Sequence, residues 1–495
     1  MSTRATRTNP LRTFLSVPLA LFALALGAGI AAPATSQMTS LTVRLNEPWQ
    51  RVTDANKSWK PLLTAYADLT PPPTPFGAGF NQATIWPGMQ GWADVAAWSE
   101  KNGVMGKALL ANQSKLVFGL PYGEDEVDSA FRERGLCVRV GIDGDIRRIE
   151  FPYLDAIGTI SAYATAEMYR LGEAGKFEEA MNLGLANLRF LRQVADQTML
   201  AEKSYAFATM AEFASIQRDF LATYMDKLPV DLLRRMANDE YPYLKPADNE
   251  RLKRIEMPEG DRVVAEALLK QCFDGEGQPS GDQFSETFAG LQSKDAPLTR
   301  FGAAKRWASI AQLHGSLDAS LGKLNNIYDD WWRRWRTRPY DTMMTMPTEL
   351  SRANKIRYAA VVLAVKDIAG LFDLRRRLVA EVDGLVTCTG LCGYRRSFGE
   401  FPDDIEKAYT TYFPKRFDFD PYDKEYGRFI YRRLSEKVAV DTVLGRIWAE
   451  GALVYGRNDN HEDDRAKNHA EGGASGDFVM WPPVRQAARA QGLLQ

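Results

Sequence analysis

Apolar residues recur three and four positions apart through most of the middle of the chain. The pattern is clearest from Asp155 onward, in AYATAEMYRLGEAGKFEEAMNLGLANLRFLRQV, where the segment GEAGK interrupts it. This spacing places apolar side chains on one face of a helix, and the glycines at the interruption favour a turn. The sequence therefore predicts a helix–turn–helix and a third helix over Ala201–Met225. Similar patterns predict long helices over Arg300–Trp335 and Ser351–Leu391.

The predicted helix–turn–helix is similar to a tetratricopeptide hairpin, because Gly175 would close the turn and Ala180 would occupy the small packing position. A true array repeats about every 34 residues, whereas this chain contains one convincing unit. We therefore expect a mainly α fold whose body is a tetratricopeptide-like helical hairpin extended by further helices.

A β-hairpin pattern precedes the helices, in LCVRVGIDGDIRRIEF at 136–151. Every second residue from Val138 to Ile142 is apolar, and Asp143-Gly144 follows. Aspartate followed by glycine is a favoured two-residue hairpin turn, because glycine tolerates a positive φ. The segment therefore predicts two short strands joined by a tight turn.

Changes in pattern divide the chain into four parts. Residues 1–36 form an N-terminal apolar segment. Residues 37–154 form an N-terminal region that is rich in tryptophan and proline over 38–100, and we expect it to be irregular apart from the β-hairpin. Residues 155–393 form the helical domain. From 394 to 495 shorter apolar runs alternate with glycine, proline and acidic residues, which predicts a small C-terminal α+β module.

The N-terminal segment has the features of a secretory signal peptide. Arg4, Arg7 and Arg12 precede an uncharged apolar run, and Ala32-Pro33-Ala34 has the form of a cleavage site. A run of this length could also be retained as a single membrane anchor. Both alternatives place the bulk of the protein outside the cytoplasm, in the periplasm or cell envelope. Membrane contact is expected only if the segment is retained.

Charge and composition narrow the function classes. Lys and Arg total 62 while Asp and Glu total 63, so the chain lacks a basic excess and no nucleic-acid partner is expected. No GxSxG, HExxH, Walker A or GxGxxG motif stands in a useful context, which argues against an enzyme. The cysteines could form disulfides after export or be small buried apolar residues; they are Cys137, Cys272, Cys388 and Cys392.

The stretch YDDWWRRWRTRPYD, at 328–341, combines tryptophans with arginines. Trp331 and Trp335 fall on one face of a predicted helix, and Trp332 lies beside them. Tryptophans with arginines can stack on sugars, which makes these three residues a candidate glycan-binding site. The alternative is structural: the tryptophans fill a helix–helix interface while the arginines extend to water.

Acids, amides, glycines and two of the three histidines are concentrated in YGRNDNHEDDRAKNHAEGGASGDFVMWP, at 455–482. The candidate metal ligands in this acidic loop are Asp459, Asp463, Asp464 and Asp477. Calcium takes about six to eight oxygen ligands, and the loop offers enough of them. The EF-hand order is not met, because no glycine occupies its sixth position. Zinc binding through the histidines and a solvated loop without metal are the two alternatives.

The order of motifs in the C-terminal region carries a resemblance. Asp420-Pro421 precedes a strand with Tyr431, and Tyr455-Gly456 leads into the acidic loop. This region resembles that of large exported proteins common in planctomycete-type bacteria, which is in turn similar to the globular domain of the type II secretion major pseudopilin. The resemblance implies a small sheet and a calcium-binding loop. Asp459, Asp463 and Asp464 match the positions of that loop's acids, and Asp477 lies near its exit.

Three functional hypotheses follow. The first is an exported, non-enzymatic scaffold or binding protein of the cell envelope, with calcium as its stabilising cofactor. The second is a glycan-binding or glycan-active protein that uses Trp331, Trp332 and Trp335. The third is a partner of secretion or pilus machinery, which rests on the resemblance alone because similar folds serve unrelated roles. In each case the expected partner is a protein or glycan at the envelope.

Overall fold

The computed structural model describes residues 32–73, 81–237, 255–288, 300–337, 341–413, 419–425, 427–470 and 475–494. Helix accounts for 56% of the described structure and strand for 10%, so the expectation of a mainly α fold is confirmed. Residues 1–31 of the predicted signal segment lie outside the described residues. Among those described, no helix has the length and apolar character needed to cross a membrane.

The region expected to be irregular contains five α-helices in the part that the structure describes, which omits 74–80. They are α1 (Ala32–Gln50), α2 (Trp59–Ala67), α3 (Trp92–Lys101), α4 (Gly103–Asn112) and α5 (Ser129–Arg132). Leu41, Leu45 and Trp49 are buried, and their four-residue spacing gives α1 an apolar stripe. The other helices are so short that the prolines and tryptophans between them hide a similar pattern in the sequence.

The predicted β-hairpin is present in shortened form. Strand β1 (Arg139–Val140) pairs antiparallel with β2 (Ile149–Glu150). The connection is longer than the expected two-residue turn, because a 3-10 turn at Ile142–Gly144 follows β1. The Asp145 carboxylate then accepts hydrogen bonds from the backbone and side chain of Arg147. These local bonds hold a longer loop, so that only the ends of the predicted strands pair.

Three long helices form the centre of the molecule. Helices α6 (Leu154–Glu173) and α7 (Phe177–Ala195) make the predicted helix–turn–helix, and α8 (Leu200–Thr223) follows. Gly175 lies between α6 and α7 with a φ of +73°, a value that favours glycine at a helix C-terminus. The chain continues through α9 (Val230–Ala237), α10 (Gly260–Gln271) and α11 (Gly281–Phe288).

The two long helices predicted for the second half are each divided. The first is replaced by α12 (Arg300–Ala311) and α13 (Leu317–Arg336), and the Ser316 hydroxyl accepts a hydrogen bond from the Ala319 N–H to cap α13. After α14 (Thr342–Thr345), the second is replaced by α15 (Ala359–Ala364) and α16 (Ala369–Phe398). The Asp367 carboxylate accepts from the Ala369 N–H. Local hydrogen bonds, from the N-cap Ser316 at α13 and from Asp367 just before α16, therefore accompany new helix starts where apolar periodicity predicts continuous helices.

The C-terminal region contains two small antiparallel sheets. Strands β3 (Ile430–Arg433), β6 (Ala452–Gly456) and β7 (Phe478–Trp481) form one sheet in the order β3-β6-β7. Strands β4 (Val438–Thr442) and β5 (Gly445–Ala449) form a hairpin between β3 and β6, and α17 (Val484–Ala490) follows β7. These elements form the C-terminal sheet region.

One hydrophobic core runs from the N-terminal helices into the C-terminal sheet region. Phe478 and Met480 of β7 belong to it, whereas Val479 belongs to a second cluster with β4, β5 and α17. Strand β7 joins the two clusters because successive side chains of a strand point to opposite faces. Gly384 of α16 allows the close approach, since a Cβ there would lie 2.4 Å from the Met480 Sδ. The sheet therefore packs directly against α16.

All four cysteines are buried and none forms a disulfide. Cys388 and Cys392 lie one turn apart on α16, and burial raises the pKa of the Cys388 thiol to about 12. A thiol with such a pKa stays protonated and behaves as a small apolar group. Of the two alternatives drawn from the sequence, disulfides or small buried apolar residues, the structure shows the second.

Candidate functional site

A cavity of about 440 Å³ lies where α8 and α16 meet the C-terminal sheet region. This volume is within the range of small-molecule sites. The apolar side chains of its wall include Leu374, Phe478, Val479 and Val484. The hydrogen-bonding and charged side chains are Asn81, Gln82, Tyr205, Thr209, Glu212, Ser215, Arg218, Arg377, Glu381, His469 and Arg485.

Helical spacing explains how two elements supply much of the polar wall. Tyr205, Thr209, Glu212 and Ser215 are three or four residues apart, so they share one face of α8. Arg377 and Glu381 share one face of α16 for the same reason. Strand β7, α17 and the end of the acidic loop supply the opposite side of the wall.

A buried ion pair joins α8 to α16 at the cavity. Arg218 is 2% exposed and Glu381 is 1% exposed. The Arg218 guanidinium donates to the Glu381 carboxylate and, at 3.0 Å, to the Glu381 backbone carbonyl. The Arg218 Nε–H is buried and has no hydrogen-bond acceptor among the described residues. An unused buried donor costs about 1–3 kcal/mol, which a ligand that supplies an acceptor would offset.

A second set of contacts joins α8 to α17. The Arg485 Nη2 lies 3.5 Å from the Glu212 Oε1, and the Gln82 amide donates to the Glu212 Oε2 at 2.8 Å. Further along the same helices, Arg489 lies 3.5 Å from the buried carboxylate of Asp219. These ion pairs attach the C-terminal helix to the body and close the cavity on that side.

His469 brings the acidic loop into the cavity wall. Its Nδ1 accepts a hydrogen bond from the Val479 N–H at 3.1 Å, so the neutral ring carries its proton on Nε2. Burial, together with the positive charges of Arg377, Arg218 and Arg485, lowers the pKa of His469 to about 3. The imidazole is therefore neutral at ordinary pH, and three guanidinium charges act on the same part of the cavity.

The predicted tryptophan cluster does not form an open surface. Trp331 is 2% exposed and Trp335 is 3% exposed. The Trp335 Nε1 donates to the Ile255 carbonyl at 2.9 Å, and the Arg375 guanidinium covers its ring at 4.3 Å. Sugar stacking on these rings is therefore not supported, because the faces that a sugar would need pack inside the core. The partly buried Trp332 donates from Nε1 to the Glu259 carboxylate at 2.5 Å.

The predicted metal ligands Asp459, Asp463 and Asp464 each have a partner within the protein. Asp459 is exposed and lies 3.4 Å from the Arg376 guanidinium. Asp463 accepts from the Tyr455 hydroxyl at 3.1 Å. Asp464 accepts from the Asn460 amide at 3.0 Å. In the part of the chain that the structure describes, which omits 471–474 of the acidic loop, no three His, Cys, Asp or Glu side chains are arranged to hold a metal ion.

Asp477, the fourth predicted ligand, is fully buried. Its Oδ2 accepts from the Ala466 N–H at 2.7 Å, and its Oδ1 has no hydrogen-bond donor among the described residues. Burial raises the pKa of Asp477 to about 6, and the nearby charges of Asp463 and Asp464 contribute to the rise. Three of the four predicted carboxylates therefore lie close enough to influence one another.

The cavity residues were not found from the sequence because they come from positions as distant as Gln82 and Arg485. The sequence contains one local indication of buried charged residues at this site. In ASIQRDFL, which falls within α8, Arg218 and Asp219 stand among residues that are otherwise apolar at helical spacing. Charged residues on the apolar face of a helix are rarely buried without a partner.

Comparison of the chain with protein-family models, curated proteins and solved structures finds no match.

Proposed function

We propose that the protein is a non-enzymatic binding protein that holds a small organic molecule in the cavity between α8, α16 and the C-terminal sheet region. The cavity itself carries this proposal. Its wall combines apolar side chains with charged and neutral hydrogen-bonding groups, which is the usual composition of a small-molecule site. Rigid helices and a strand supply most of that wall, so the site is formed before a ligand enters.

The binding is proposed to take place outside the cytoplasm. This part rests on the sequence alone: Arg4, Arg7 and Arg12 precede an uncharged run with a cleavage-type motif at Ala32-Pro33-Ala34. Mass spectrometry of the protein from a periplasmic fraction tests it. We expect a mature chain that begins near residue 35, and a full-length chain confined to the cytosol would contradict export.

A cavity-filling variant tests the binding function. Ser215 is partly buried in the cavity wall, so Ser215→Phe is expected to occupy the space of a ligand. Ser204→Phe is the matched control, because Ser204 is also partly buried on α8 but does not line the cavity. The measurement is the melting temperature of each variant with a panel of small metabolites.

We expect compounds that raise the melting temperature of the wild type to act on Ser204→Phe as well, but not on Ser215→Phe. If no compound stabilises the wild type, or if the same compounds stabilise Ser215→Phe equally, the protein does not bind its ligand in this cavity.

Calcium binding by the acidic loop is a second candidate function. It is supported by Asp477, whose buried Oδ1 lacks a donor among the described residues and whose pKa is raised in part by Asp463 and Asp464. A cation near these carboxylates would stabilise the folded protein by mass action. Asp463→Ala combined with Asp464→Ala should lower the melting temperature in calcium but not in chelator. An equal effect in both conditions would rule calcium out.

A further inference from the structure

We propose that the ligand of the cavity is an organic anion, whose carboxylate or phosphate group binds Arg218, Arg377 and Arg485 while its carbon skeleton packs against Leu374 and Phe478. This inference rests on the proposed function, because it names the chemical class that the same cavity selects. It is separable from that function, since a cavity can bind small molecules without preferring anions.

The first argument is the balance of charge in the wall. Three arginines face two glutamates, Glu212 and Glu381, and His469 is neutral. One positive charge is therefore in excess in a partly enclosed space. Electrostatic interactions are stronger there than in bulk water, because the surrounding protein has a lower effective dielectric constant. An anionic group is the ligand chemistry that removes this excess.

The second argument is the hydrogen-bonding state of Arg218. Both Nη groups of Arg218 donate to Glu381, but the Arg218 Nε–H is buried without an acceptor among the described residues. Carboxylate and phosphate oxygens are strong acceptors for guanidinium donors. An anionic oxygen that reached this donor would satisfy it without breaking the ion pair.

The third argument comes from His469. Arg377, Arg218 and Arg485 all lower its pKa, so their positive potentials converge at this ring. A bound anion would reduce that potential and raise the pKa of His469.

The fourth argument is the apolar part of the wall. Leu374 and Phe478, together with Val484, line the same cavity as the arginines. A free inorganic ion would leave these side chains uncovered, whereas a carbon skeleton attached to the anionic group would bury them. The combination favours an organic anion over a simple ion.

Matched pairs of an acid and its neutral ester test the inference. Benzoate is compared with methyl benzoate, and phenyl phosphate with its dimethyl ester, by titration calorimetry on the full chain. We expect at least one anion to bind about tenfold or more tightly than its ester, as charge-assisted hydrogen bonds imply. The carboxylate and phosphate arms show which anionic group the site prefers.

The Arg377→Gln variant tests whether the anion binds at the arginines of the cavity, and it leaves the buried ion pair of Arg218 and Glu381 in place. The Arg377 side chain is 50% exposed and lies 3.9 Å from Glu381, so its replacement leaves Arg218 and Glu381 together. We expect the anion's affinity to fall about tenfold in Arg377→Gln, and not in Arg333→Gln. The control removes the same charge from an exposed position on α13, away from the cavity.

The outcomes separate the two proposals. If anions and esters bind equally well to the wild type but not to Ser215→Phe, the anion inference fails and the binding function stands. If Arg377→Gln binds the anion as well as the wild type does, the anion inference also fails. If neither member of any pair binds to the wild type, the anion inference fails, and the Ser215→Phe test with the metabolite panel decides the binding function separately.

Discussion

Helix α8 carries buried charged side chains near both ends, and the surroundings of Glu202 and Arg218 differ. Near its start, the Glu202 carboxylate is enclosed by donors. It accepts from the Tyr122 hydroxyl at 2.6 Å and from the Tyr153 hydroxyl at 2.5 Å. It also accepts from the Met199 N–H at 3.3 Å and the Gln197 amide at 3.4 Å. The Tyr122 contact connects the segment between α4 and α5 to α8, and the other three contacts are made by residues that lie next to α6 or α8 in the chain.

Near the other end of α8, Arg218 has a carboxylate partner but also borders a cavity. Its Nε–H has no acceptor among the described residues. The comparison shows how two buried charges on one helix can serve different purposes. A carboxylate enclosed by donors within the protein fixes the structure, whereas a cation with an unused donor beside a cavity suits a ligand. This predicts that substitutions near Glu202 change stability and that substitutions at the cavity change binding.

The largest effect is expected from Glu202→Ala. The variant removes the acceptor of four donors in a fully buried site, so the free energy of unfolding should fall by about 3 kcal/mol or more. Urea denaturation of the variant and the wild type measures it. Glu179→Ala, at a solvent-exposed acid on α7, is the control and should change stability by less than about 0.5 kcal/mol. A loss below about 1 kcal/mol for Glu202→Ala would show that the enclosed carboxylate is not a structural centre.

A smaller effect is expected in the pH dependence of stability. Burial raises the pKa of Glu202 from its ordinary value of 4.5 to about 7. The folded protein therefore holds this proton more tightly than the unfolded chain, and the stability that protonation supplies is lost as pH rises from about 4.5 to about 7. Glu202→Gln cannot titrate, so it should flatten the curve of unfolding free energy over this window.

A pH dependence should remain in Glu202→Gln, because other groups titrate in this window. The pKa values of Asp420 and Asp477 are also raised to about 6, chiefly by burial, and act in the same direction, whereas the lowered pKa of His469 acts in the opposite direction. A curve identical to that of the wild type would mean that Glu202 does not titrate in this range.

The smallest effect on stability is expected from Arg377→Gln. This side chain is half exposed, and ion pairs at such positions contribute about 0–1 kcal/mol. The melting temperature should therefore stay close to that of the wild type, even though anion binding is expected to weaken. Thermal denaturation without ligand measures it. A large loss of stability would mean that the charged residues around Arg218 also hold the structure together, and the contrast with Glu202 would disappear.

The sequence predicts the presence of the central helices better than the positions at which helices begin and end. Apolar periodicity located α6, α7 and α8 because each buries a continuous stripe, and Gly175 marked the turn between them. The same periodicity continues across Ser316, which caps α13, and across Asp367, which bonds the first N–H of α16. Capping depends on one hydrogen bond, which leaves little trace in a pattern averaged over many residues.

The candidate site was beyond prediction for a different reason. Sequence motifs are recognised from residues that are close together in the chain. The tryptophans at 331–335 form such a cluster, but they are largely core residues. The cavity brings together Gln82, Arg218, Arg377 and Arg485 from separate elements. Their proximity follows from helix packing, which a single sequence does not reveal.

The ion pair between Asp219 and Arg489 also affects the order of events during synthesis. Domains generally begin to fold from the N-terminal side as the chain emerges, so α8 can dock in the body well before α17 exists. Until then the Asp219 carboxylate lacks the arginine that neutralises it. The cavity cannot close before residues 478–490 have left the ribosome, and ligand binding would therefore report that the chain has been translated through this segment.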